Sequence, residues 1–244
     1  MQLELSGPKL KLALESLVSG SDEQGGVEAY VGALKIKSAM FRDACSHELT
    51  LKDFRTLCAH MSTVRRRIGG YAQPHWFGEM SQRIAALLEG ELETDERLQR
   101  FCSVFPDDRE HRWVRDLAAE LLHYADPERY PLMTRWVWDA RANTGVLREI
   151  WHGDDVDSIS IDVPDGYATF LQLRQELSEY LTANGVFRDV LWYVDALMAQ
   201  VYAGYINERG GTYLRTDFAT PEDPMLHTRR ILGLDGVERM KAFA

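Results

Sequence analysis

Cysteine is scarce in this chain, and the three present, Cys45, Cys58 and Cys102, form neither a CxxC pair nor a set with partnered histidines. That count and spacing suggest neither a disulfide framework nor a structural zinc site, and a reducing compartment fits best. Long hydrophobic runs are missing too. No stretch approaches the roughly 20 apolar residues that span a bilayer. The N-terminal MQLELSGPKLKLALESLVSG interrupts its apolar rhythm with charges, unlike the unbroken core of a secretory leader. The expectation is a cytoplasmic protein with no membrane association. Positive charge is in deficit: 28 Lys and Arg face 38 Asp and Glu, a formal charge of −10, which argues against a dedicated nucleic-acid binder. The one uninterrupted basic run, Arg65-Arg66-Arg67, reads as cations at a helix C-terminus rather than a phosphate site.

Catalytic signatures are also missing. There is no GxSxG elbow, no GxxxxGK[ST] loop, no GxGxxG after a strand and no HExxH helix, so no cofactor is expected.

What the sequence has in quantity is helical periodicity. It predicts an all-α protein, a single compact multi-helix bundle over residues 1–244 with at most a small β-ribbon, and with one weak boundary near 153–166. Pro8 suits the first turn of a short helix. Thr50 and Asp53 form an acidic variant of the capping box. A helix from Asp108 ends near Ala125 because Pro127 follows. Pro131 restarts the chain, and a helix follows that Asn143, Thr144 and Gly145 interrupt before VLREIW. Two strongly periodic helices, around 169–183 and 187–208, are expected to pack as an antiparallel hairpin, with Phe187 opening the apolar stripe of the second. The strand-like runs are SISIDV at 158–163 and TYLRTDF at 212–218.

Function is expected between Asp108 and Asp155, where four of the six tryptophans fall among arginines and acids. Tryptophan and arginine are enriched where surfaces carry binding energy. Arg112, Asp116, Glu120 and His123 are spaced four, four and three apart, so they share one helix face. That face reads as a solvated row of ion pairs; the sharper alternative has Glu120 orienting His123 as a general acid or base. His111 reads as a packing residue. Arg135, Trp138 and Arg141, three apart, predict a ladder in which two guanidinium groups flank one indole, either as a structural stack or facing a partner. His152, Asp154, Asp155 and Asp157 in HGDDVD have metal-ligand chemistry but match no calcium-loop register, so no metal is expected there. Asp195 reads as a half-buried acid hydrogen-bonded by a tyrosine or arginine elsewhere in the bundle.

The resulting expectation is an accessory or adaptor protein that binds another protein through Arg112, Arg135, Trp138 and Arg141. The alternative is an enzyme with an unfamiliar site in a helical pocket, whose candidates are Glu120, His123, His152 and Asp155. A nucleic-acid module ranks third.

Overall fold

A computed structural model of the chain describes residues 2–22, 25–153, 159–211 and 225–235. Ten α-helices run through them: α1 (Gly7–Ser21), α2 (Val27–Cys45), α3 (Leu51–Ala59), α4 (Pro74–Glu89), α5 (Thr94–Cys102), α6 (Trp113–Ala125), α7 (Val146–Glu149), α8 (Tyr167–Ala183), α9 (Val190–Gly211) and α10 (Leu226–Ile231). The fold is all-α. Among the described residues, extended pairing is confined to two isolated bridges, Leu5 with Trp151 and Asp139 with Thr144. Residues 159–163 form no strand; Ser158 and the 212–218 run lie outside the described residues.

Local chemistry sets the helix ends. Pro8 lies in the first turn of α1. Thr50 and Asp53 cap α3 reciprocally, each side chain accepting the other's backbone N–H. At the end of α4, the buried Arg97 of α5 reaches back, its Nη1 donating to Leu87 O at 2.6 Å. A cation there meets carbonyls that the helix itself leaves unpaired. After α8, Gly185 takes a φ of +91° and turns the chain within a few residues into α9, which packs back on α8.

The centre is built by α6 and α9. Helix α9 packs against α1, α2, α7, α8 and α10, whereas α6 packs against α2, α4 and α5. Of the 13 residues of α6, all but Arg115 and Ala125 are buried. A helix buried on every side must satisfy its polar side chains internally, which makes Asp116, Glu120 and His123 the organising residues of the core. The periodicity had placed them on a solvated face. Outward exposure was the expectation because helical spacing gives neighbours on one helix and nothing about what covers them.

Three other expectations need correction. Helix α3 stops at Ala59, so Arg65–Arg67 sit in the turns beyond it rather than at its C-terminus, and Arg65 is buried. Helix α9 begins at Val190, leaving Phe187 at 74% exposure and outside the apolar stripe. The stretch from Pro131 to Gly145 is no helix. Instead Val146 N donates to Trp136 O and Leu147 N to Val137 O, both at 3.0 Å, closing residues 136–147 into a tight fold. Gly145 permits it: its φ is +123°, and a Cβ there would lie 2.7 Å from Val137 O.

Candidate functional site

A cleft of about 370 Å³ opens where α5 and the N-terminal end of α6 face the 135–141 turn. Phe105, Pro106 and Val114 give it apolar walls, and Arg112, Arg115, Arg135 and Arg141 line it with four guanidinium groups. Each arginine has a carboxylate partner. Arg112 pairs with Asp139 and Arg115 with Asp165. Arg135 donates through its backbone N (2.9 Å) and Nη2 (2.7 Å) to both oxygens of the fully buried Asp116, which fixes the start of the turn. Arg141 meets Asp107 at 3.2 Å, and these two side chains are 75% and 90% exposed.

The four pairs therefore differ in kind. Asp139 also accepts Ala142 N at 3.0 Å, and Asp165 accepts Arg115 through its backbone O as well, so both hold loops in place. The Arg141–Asp107 pair holds nothing else. An exposed pair of that type contributes on the order of 0–1 kcal/mol, so it exchanges readily for another carboxylate.

The wall also carries His111. Its Nδ1 lies 2.8 Å from Asp108 Oδ1, and its Nε2 lies 2.8 Å from the Tyr71 hydroxyl. Asp108 Oδ1 additionally accepts the backbone N–H of Glu110 and His111. Hydrogen bonding from the imidazole is the main reason the Asp108 carboxyl is held below its usual range.

The remaining predicted residues lie elsewhere. Trp138 is completely buried and donates Nε1–H to Val163 O at 2.9 Å, so it anchors the 159–163 segment instead of facing a partner. The Arg135–Trp138–Arg141 ladder fails with the helix it presumed. Among the described residues, the cation–π contacts are Lys37 over Phe41 and Tyr124, and Arg97 and Arg129 over Tyr130. His152 is exposed, and its backbone N donates to Glu4 O at 2.7 Å. Asp154, Asp155 and Asp157 lie outside the described residues.

Glu120 and His123 are sealed in the core, and they do not pair with each other. Glu120 Oε2 accepts from Lys37 Nζ at 3.1 Å, and the same ammonium donates to Leu232 O at 2.9 Å while lying 3.9 Å from the Tyr124 ring centroid. Burial pushes the Glu120 carboxyl up and the Lys37 amine down. His123 is oriented by Asp195, whose Oδ2 lies 2.8 Å from Nε2, while Nδ1 lies 2.8 Å from Tyr130 O. A carbonyl only accepts, so Nδ1–H donates to Tyr130 O. The partner of Asp195 is thus a histidine, where a tyrosine or arginine was expected.

The structure brings Arg112, Arg135 and Arg141 together around one cleft and adds Arg115, His111, Asp139 and Asp165, which the protein-binding reading of the sequence left out of the site. The spacing of Arg112 and Arg115 was a usable signal, since residues three apart on a helix are neighbours. Asp165 gave none, lying far along the chain in a loop. No family model, curated protein or solved structure matches this chain.

Proposed function

We propose that the protein is an accessory binding protein that seats a segment of a partner protein in the arginine-lined cleft. The observation that carries this reading is Arg141, which lines a preformed opening and whose ion pair with Asp107 is almost wholly in solvent. The fitting segment presents a carboxylate to Arg141 and an apolar side chain to Phe105, Pro106 and Val114. Arginine forks match planar carboxylates, and arginine with aromatic neighbours is the usual make-up of an interface centre. Nucleic acid is disfavoured, because aspartates neutralise the cleft arginines and the whole chain carries −10. Three unpaired thiols support a reducing, cytoplasmic setting. No helix among the described residues is long and apolar enough to cross a membrane.

The test is a photo-crosslinking residue at Ser103, on the cleft lining, in full-length protein exposed to an extract of the native organism. A discrete adduct is expected, lost in Arg141→Glu and not formed from the same crosslinker at Lys11 on α1. No adduct, or one indifferent to Arg141→Glu, overturns the reading.

A second reading has its own observation, the Asp108–His111 pair in the cleft wall with Tyr71 hydrogen-bonded behind it. An imidazole oriented by a carboxylate is the arrangement general acid–base catalysis uses. The two separate at His111→Gln. The binding reading expects the adduct to persist, whereas the enzymatic one expects a small molecule of a deproteinised extract to be consumed by the wild type and spared by the variant.

A further inference from the structure

The stretch after α3 folds back as turns and a short 3-10 helix (Ile68–Gly70), leaving a recess of about 190 Å³ between that stretch and α3. At roughly 30 Å³ per water, it has the room of about six waters, the scale of a small metabolite. Its lining shares no residue with the arginine cleft; two arginines, Arg55 and Arg65, line it, and of these only Arg65 has a carboxylate partner, Asp235.

Arg55 spends Nε and Nη2 on a single acceptor, Ala72 O, at 3.0 and 2.8 Å. A guanidinium has five N–H donors, so three remain. Among the described residues no carboxylate pairs with Arg55. Arg65 is buried. Its Nη1 and Nη2 donate to the two oxygens of Asp235 at 2.6 and 2.9 Å, yet its Nε–H finds no acceptor. A buried donor left unmet costs about 1–3 kcal/mol. Between the arginines the wall is apolar, from Ala59, Ile68 and Ala72.

We propose that this recess is a binding site for a small carboxylic acid with a compact apolar body. Arg55 takes the carboxylate through its free N–H groups, and the aliphatic side chains enclose the body. Polar anchoring at one end with apolar enclosure at the other is the usual composition of a small-molecule pocket. A bare inorganic anion leaves the apolar wall unused, and a neutral isostere leaves the Arg55 charge unmatched.

Benzoate, benzamide and inorganic phosphate, titrated into the full chain and followed by calorimetry, test this. Benzoate is expected to bind saturably and at least tenfold more tightly than either of the others. Arg55→Gln is expected to weaken benzoate at least tenfold. Gly69→Leu provides a variant that spares the core. Gly69 lines the recess and is exposed, and a Cβ there meets no atom within 4 Å, so a side chain is added to the lining without a backbone clash. It too should abolish benzoate binding at an unchanged melting temperature. No saturable benzoate binding, benzamide or phosphate binding as tightly as benzoate, or full benzoate affinity in Gly69→Leu overturns the proposal. So does full affinity in a folded Arg55→Gln; if that variant unfolds, Gly69→Leu decides alone.

Discussion

The inner length of α6 and the cleft at its N-terminal end are made from the same side chains, cations set against carboxylates, but water reaches only one of them. In the core, Lys37 and Glu120 are 2% and 4% exposed, and Glu120 Oε1 has no hydrogen-bond partner. At the cleft mouth, Arg141 and Asp107 stand in solvent. Opening the inner pair strands a charge in a poorly polarisable interior, whereas opening the outer pair returns both groups to water at little cost. The inner pair therefore constrains the fold, and the outer one is free to be exchanged.

The largest effect that could break this contrast is removal of one inner partner. Lys37→Met and Glu120→Leu should each destabilise by about 3–5 kcal/mol, because the survivor is left buried and unpaired. The double variant should recover most of the loss, since a buried pair is often replaceable by apolar side chains of similar volume. Urea titration of all four proteins measures it. Strictly additive losses would mean that the two side chains act independently, and the contrast with the cleft would collapse.

Leu197 supplies the apolar yardstick. It is fully buried on α9, and Leu197→Ala should cost about 2–5 kcal/mol. By the same urea assay, a loss under about 0.5 kcal/mol would mark its surroundings as surface-like and undermine the placing of α9 at the centre.

A smaller effect, read by pH, sharpens the picture of the inner region. Burial, followed by the nearby cations Lys37 and Arg65, depresses the pKa of His60 below 6.5, although its hydrogen bond with the Gly233 backbone works the other way. The unfolded chain binds a proton at this site from about pH 6.5 downward, and the folded chain resists until a lower pH. Stability from this group is therefore present above pH 6.5 and is lost as pH falls through the folded value. Melting curves should show wild type losing ground to His60→Gln between pH 7 and pH 5. A constant difference across that range would mean that His60 titrates alike in both states.

The helical class was legible in the sequence because periodicity and capping are local properties. Thr50 with Asp53, Pro8 and the break between the two helices around 169–183 and 187–208 stand where the spacing placed them. Failures occurred where tertiary contacts overrule local preference. The 131–145 stretch has helical spacing, but its backbone N–H and C=O groups pair with residues around Gly145, and Asp116 captures Arg135 from another element. The face of α6 was readable as a set of neighbours and unreadable as buried, because Lys37 lies 83 residues from Glu120 and Asp195 lies 72 from His123. Of the proposed interface, Arg112, Arg135 and Arg141 were identified by type. Trp138 was misjudged, since an indole offers the same residue type to a partner or to Val163 O.

The smallest expected change in stability carries the most functional weight. Arg141→Ala removes a guanidinium whose carboxylate partner, Asp107, is 90% exposed, so the stranded acid is simply hydrated. The stability change should stay within about 0.5 kcal/mol, the usual range for surface substitutions. Arg135→Ala offers the internal comparison at the same cleft. It leaves the fully buried Asp116 with one of its two donors, the backbone N of residue 135, and a missing charged partner costs several kcal/mol. Urea titration should therefore rank Arg135→Ala far above Arg141→Ala, while crosslinking from Ser103 should be lost in Arg141→Ala despite its native stability. Equal destabilisation by the two variants would show that Arg141 is tied into the fold as firmly as Arg135, leaving no exchangeable pair for a partner to displace.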